Sequence, residues 1–102
     1  MKIYISGAIT GVENEAKKRF DEAEKKLKNM GFDVVNPMKV PHNHDKTWGS
    51  FMREDLKSLL DCDAIYLIEA DSDKSRGVEL ELMVAKRLGI DRLVICESVK
   101  IN

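Results

Sequence analysis

Four short runs rich in β-branched and aliphatic residues alternate with three longer runs whose apolar residues recur every three or four positions. This alternation restricts the chain to α/β architectures. Strands are predicted near Ile3 to Ser6, Phe32 to Val35, Ala64 to Ile68 and Arg92 to Cys96. Helices are predicted from about Asn14 to Met30, Thr47 to Leu60 and Gly77 to Leu88. Ala64-Ile65-Tyr66-Leu67-Ile68 is apolar throughout rather than alternating, as a strand buried on both faces requires. Right-handed crossovers between such strands give a parallel sheet with helices on both faces. In the first helix Ala16, Phe20, Ala23, Leu27 and Met30 form one apolar stripe. Gly31 and Gly89 close the first and third helices.

Composition narrows the function classes. At 102 residues the chain is expected to form one domain with a modest core, too small for a deep cleft of its own, so that a second subunit would complete a site. Lys and Arg total 17 against 18 Asp and Glu, for a formal charge of -1, which gives no electrostatic case for long nucleic acid or an anionic membrane. The basic run of Lys17, Lys18, Arg19, Lys25, Lys26 and Lys28 is interleaved with Asp21, Glu22 and Glu24 and reads as a solvated helix face. Cys62 and Cys96 lack a partner at metal spacing and read as small core residues. No signal peptide or membrane-length apolar segment is visible, so a cytoplasmic location is expected.

Against this background one residue is out of place. At about 100° per residue, Val78, Leu82, Ala85 and Leu88 share a helix face, and Glu81 lies among them while Glu79 points elsewhere. A carboxylate on an inward face is costly unless compensated, and this one follows a Ser75-Arg76-Gly77 turn, where the positive end of the helix favours an anion. Glu81 is therefore a candidate nucleophile or base, the alternative being a structural acid. On the second helix Met52, Leu56, Leu59 and Leu60 mark the buried face. Asp55 lies at its border, either facing the sheet edge or paired at the surface with Arg53 or Lys57. Two carboxylates on helices that follow different strands suit cleavage of an N-glycosidic bond, one attacking the anomeric carbon and the other managing the proton of the leaving base.

The first strand runs into Ser6-Gly7-Ala8-Ile9-Thr10-Gly11, a small-residue turn through which backbone N–H groups could approach a sugar or phosphate. It is neither a dinucleotide fingerprint nor a Walker loop, and Val35-Asn36-Pro37 lacks the acid that holds an adenine ribose. The irregular stretch from Asn36 to Lys46 follows the second strand and reads as a lid. His42, His44 and Asp45 within it supply neither a preformed metal ligand set nor a nuclease context. Trp48 is either a helix-entry packing residue or a base-stacking wall.

Taken together, these residues resemble the nucleoside 2-deoxyribosyltransferases and the related 2'-deoxynucleoside 5'-phosphate N-hydrolases. The resemblance is carried by Tyr4-Ile5-Ser6-Gly7-Ala8-Ile9, by Asp55-Leu56 with Leu59 and Asp63-Ala64, and by Ser75, Gly77 and Glu81 followed by Ala85. Asn36-Pro37, Trp48 with Met52-Arg53-Glu54-Asp55, and Cys62-Asp63 look like small phage and bacterial members of unestablished function. The resemblance implies an α/β flavodoxin/Rossmann-like three-layer sandwich with a parallel sheet of four to five strands, in a single domain over 1–102. It implies Glu81 as nucleophile, Asp55 as acid/base, and Tyr4 as the hydroxyl that orients Glu81. Ser6, Gly7 and Ile9 would border sugar or base, and Ser75 and Gly77 would hold a 5'-phosphate with Arg76 as an extra donor. The position after Ile9, basic in the monophosphate hydrolases, is Thr10 here.

The enzyme reading expects a nucleoside or nucleotide as small-molecule partner, no metal or other cofactor, and a homodimer or higher homo-oligomer. A nucleotide-binding or sensing module without chemistry, and an accessory protein that reuses the fold, are the alternatives.

Overall fold

A computed structural model describes residues 1–9, 11–40, 44–68 and 75–95. Its elements are β1 (Lys2–Ser6), α1 (Glu13–Asn29), β2 (Asp33–Val35), a 3-10 turn (Pro37–Lys39), α2 (Trp48–Leu60), β3 (Ala64–Leu67), α3 (Arg76–Arg87) and β4 (Asp91–Arg92). The four strands form one parallel sheet in the order β2-β1-β3-β4. Tyr4 aligns with Val35 on one side and Ile65 on the other, and Ser6 aligns with Leu67. This is the expected α/β, flavodoxin-like arrangement.

Because strand side chains alternate, β1 sends Ile3 and Ile5 to one face and Tyr4 and Ser6 to the other. Ile3, Ile5 and Ala64 pack with the α1 residues Ala16, Phe20, Ala23 and Leu27. Tyr4 and Ile65 pack with Leu59, Cys62 and Ala85, which belong to α2, the turn after it and α3. α1 thus covers one face and α2 with α3 the other, making three layers. β1 and β3 are neighbours whose crossovers leave in opposite directions. Their carboxyl ends therefore flank a crevice, the usual ligand position in open α/β sheets.

Local chemistry fixes the starts of the two helices that matter for the site. Thr47 caps α2, its Oγ1 accepting from Ser50 N at 3.2 Å, and Ser75 caps α3, its Oγ accepting from Val78 N at 3.3 Å. Gly31 and Gly89 have φ of +92° and +72°, as expected of residues that end helices in the left-handed region. Gly77 is required for a different reason: a Cβ there would lie 3.2 Å from the Sδ of Met52, so its absence lets the first turn of α3 sit close against α2.

Several expectations are corrected. The last strand is shorter than Arg92 to Cys96: the ladder covers Asp91–Arg92, with Leu93 N donating to Ile65 O at 2.8 Å. Cys96 lies outside the described residues, as do Thr10, His42 and Asn43. Met30, Leu60 and Leu88 are exposed rather than core, because each falls at the end of its helix, where the apolar face runs past the edge of the sheet.

Glu24 departs furthest from its solvated reading. It is buried, and accepts from Asn36 Nδ2 at 3.0 Å while pairing with Lys28 at 2.6 Å and Lys39 at 2.9 Å. These partners, the two lysines first, hold its carboxyl down to about 2. Asn36 in turn accepts from Met38 N at 3.0 Å, so the turn after β2 is fastened to α1. Glu24→Ala should cost about 1–3 kcal/mol by leaving the buried Asn36 amide without its acceptor, read as a lower urea midpoint at unchanged slope.

Candidate active site

A cavity of about 510 Å³ opens at the carboxyl ends of β1 and β3. Tyr4, Gly7 and Ile9 reach it from β1 and the following turn, and Pro37 and Met38 from the turn after β2. Trp48, Phe51, Met52 and Asp55 line it from α2, and Ser75, Gly77 and Glu81 from the start of α3. Each segment follows a strand or opens a helix. The parallel topology thus gathers them at one edge of the sheet.

The cavity holds the carboxyl of Glu81, only 4 % exposed. Both of its oxygens accept hydrogen bonds from β1: the Tyr4 hydroxyl donates to Oε2 at 2.5 Å, and the Ser6 hydroxyl donates to Oε1 at 2.7 Å. Tyr4 and Ser6 are two residues apart on one strand, so their side chains leave the same face and meet one carboxylate together. Burial pushes the Glu81 carboxyl up to about 7. The hydrogen bonds from Tyr4 and Ser6 pull the other way, and the charge of Asp55 adds to the rise. The positive helix end expected to favour an anion does not offset burial: Glu81 lies in the second turn of α3, and desolvation outweighs the hydrogen bonds. Burial, followed by the carboxylates of Glu81 and Asp55, holds the Tyr4 phenol far above its ordinary range. Tyr4 remains a donor at every working pH.

Asp55 is half-buried, lines the same cavity from α2 and is electrostatically coupled to both Glu81 and Tyr4. Two carboxyl groups and a phenol donor thus line one cavity. If the ionised form of Glu81 reacts, activity should fall about tenfold per pH unit below about 7, because the acid form of the raised carboxyl accumulates there. A pH profile of kcat/KM on the free enzyme measures this.

Of the residues singled out in the sequence, Tyr4, Gly7, Ile9, Trp48, Asp55, Ser75, Gly77 and Glu81 line the cavity. Ser6 does not: its hydroxyl is spent on Glu81, and the residue is 1 % exposed. Arg76 also lies outside the lining. Its guanidinium rests 4.7 Å from the ring centre of Trp48. Trp48 is 43 % exposed and meets both Arg76 and the cavity.

Lys46, Phe51, Met38 and Glu13 also line the cavity and were not anticipated. Lys46 has a φ of +63°, unusual for a residue with a side chain, and its N–H donates to His44 Nδ1 at 3.0 Å. His44 packs edge-on against Phe51, with ring centres 4.5 Å apart. Asp45 accepts from Thr47 N at 3.1 Å and from Ser50 Oγ at 2.6 Å. His44 and Asp45 therefore build the entry to α2. The only sequence signal for this was the Asp-x-Thr-x-x-Ser spacing ahead of an apolar run, a capping pattern. Among the described residues, no three His, Cys, Asp or Glu side chains cluster as metal ligands would, and no helix is long and apolar enough to cross a membrane.

The same arrangement of strands and helices occurs in a solved structure, the 2-deoxyribosyltransferase from the psychrotolerant bacterium Bacillus psychrosaccharolyticus. The two superpose with a TM-score of 0.70 at 21 % sequence identity, over 100 % of this chain and 77 % of that one. At that identity the likeness establishes the fold. No curated protein sequence matches the chain. A family model described as a domain of unknown function, DUF4406, matches residues 1–94, and the chain belongs to that family.

Proposed function

We propose that this protein cleaves the N-glycosidic bond of a 2'-deoxynucleoside or its 5'-monophosphate. The observation that carries the reading is the placement of Glu81: a buried carboxylate with one donor on each oxygen, inside a cavity that Asp55 also lines. An oxygen of Glu81 attacks C1' of the sugar and forms a C–O bond. The C1'–N bond breaks, its electron pair goes to the base, and a proton passes from Asp55 to the leaving nitrogen. Water or a second base then attacks C1' and gives its proton to Asp55, releasing Glu81 as carboxylate. Two displacements retain the configuration at C1'.

The apolar ring surfaces of Trp48 and Phe51 suit a planar base. Ser75 and Gly77, with Lys46 on the cavity wall, suit the 5' end of the substrate. The fold shared with a 2-deoxyribosyltransferase supports the same reading. We take the active form to be a cytoplasmic homodimer or higher homo-oligomer, with residues 1–102 forming a single domain. The exposed apolar side chains of Leu60, Met83 and Leu88 support self-association.

The test incubates the protein with a panel of deoxynucleosides and their 5'-monophosphates, with and without a free acceptor base, and follows released base by chromatography. Release without an acceptor identifies a hydrolase, and release that requires one identifies a transferase. Absence of release from folded protein across the whole panel overturns the proposal. Saturable nucleotide binding without release would assign a binding module instead.

A further inference from the structure

Ser6 occupies a position whose side chain a cavity-lining role does not explain. It is buried and off the cavity surface, and its hydroxyl donates to Glu81 Oε1 at 2.7 Å across 75 residues of sequence. Its own backbone is tied into the sheet, with the carbonyl accepting from Ile68 N at 2.9 Å and the register pairing it with Leu67. The residue is thus held by β1 and β3. Tyr4, two residues earlier on the same strand, takes Oε2.

Two donors on two oxygens define the plane of a carboxylate, whereas one donor leaves it free to turn about that single bond. We propose that Ser6 is a positioning residue: with Tyr4 it fixes the plane of the Glu81 carboxylate and stabilises its ionised form inside the cavity. This rests on reading Glu81 as the nucleophile. The groups that face Glu81 are Tyr4 and Ser6 from β1 and Asp55 from α2, while Glu79 on its own helix points to solvent. Of these, Asp55 opposes ionisation and Tyr4 and Ser6 favour it. Removing the Ser6 hydroxyl therefore leaves Oε1 buried without a donor, against an unchanged burial and an unchanged opposing charge.

The experiment titrates the carboxyl of Glu81 directly by carbon-13 NMR of protein labelled at glutamate Cδ, with the signal assigned by its loss in Glu81→Gln. Ser6→Ala should titrate at least about one pH unit above wild type, a tenfold change in ionisation. Ser6→Cys, which keeps the size but is a weak donor, should fall between the two, and it carries the comparison if Ser6→Ala does not fold. The low-pH limb of base release should move by the same amount, with kcat falling and KM nearly unchanged. Titration of the folded variants at the wild-type pH overturns the proposal. Because the NMR readout needs no turnover, a wild-type protein that releases no base while its Ser6 variants show the shift would reject the glycosidic reading and leave the positioning of the Glu81 carboxylate by Ser6 standing.

Discussion

Glu81→Gln is expected to reduce base release by a factor on the order of 10⁴ or more, the scale on which loss of a covalent nucleophile acts. The substitution preserves size and lets the Tyr4 and Ser6 hydroxyls keep an oxygen acceptor at one of the two positions. It removes the charge and the nucleophilic oxygen pair. The fold should not suffer. The Glu81 carboxyl is raised from its ordinary 4.5 to about 7 in the folded chain, with burial the first cause. A carboxyl raised on folding binds its proton more tightly in the folded state. Its presence therefore costs stability above the unfolded value, and that cost grows as pH rises from about 4.5 to 7. Glu81→Gln should abolish this dependence, so urea midpoints of variant and wild type should diverge in favour of the variant over that window. Intact-mass measurement during turnover should find a glycosylated species in wild type and none in the variant. A variant that retains base release within tenfold of wild type would remove Glu81 from the mechanism.

Asp55→Asn should lower kcat about 10² to 10⁴-fold, the contribution of a positioned acid/base group. The size of the loss should depend on the leaving group. A substrate whose base already carries a positive charge needs no proton to depart, and for it the defect should shrink. A structural role for Asp55 would lower both substrates equally. Comparing kcat for the two in wild type and Asp55→Asn distinguishes these outcomes. Because Asp55 also raises the Glu81 carboxyl, the same substitution should move the low-pH limb of activity downward, opposite to the shift expected of Ser6→Ala. The two variants thus bracket Glu81 from its two sides.

The parts of this site that were legible in the sequence are those that local pattern encodes. Glu81 stood out because a carboxylate interrupted the spacing of Val78, Leu82 and Ala85, and Ser75 was readable as a turn before a helix. Asp55 could be placed at the border of an apolar face but not assigned a direction, since a border residue turns toward a site or toward solvent depending on what packs beside it. Glu24 was misread for the same reason in reverse. Its neighbours on α1 are solvated lysines, and nothing in the helix announces that Asn36 and Lys39 of a later turn will cover it. Lys46, Phe51 and Met38 were missed because their lining role follows from where the segments after β2 cross the sheet edge.

The sequence by itself determined the class of fold, since the period of burial switches between strand and helix residue by residue. Helix stops at Gly31 and Gly89 were equally local, fixed by backbone angles that glycine accepts at least cost. Only the tertiary structure decided that Ser6 serves Glu81 rather than the cavity, that Arg76 rests on Trp48, and that the Glu81 carboxyl is raised rather than held down. Those outcomes depend on contacts between residues far apart in the chain and on how completely water is excluded around them. Desolvation belongs to the assembled neighbourhood of a group and not to the residues beside it in sequence.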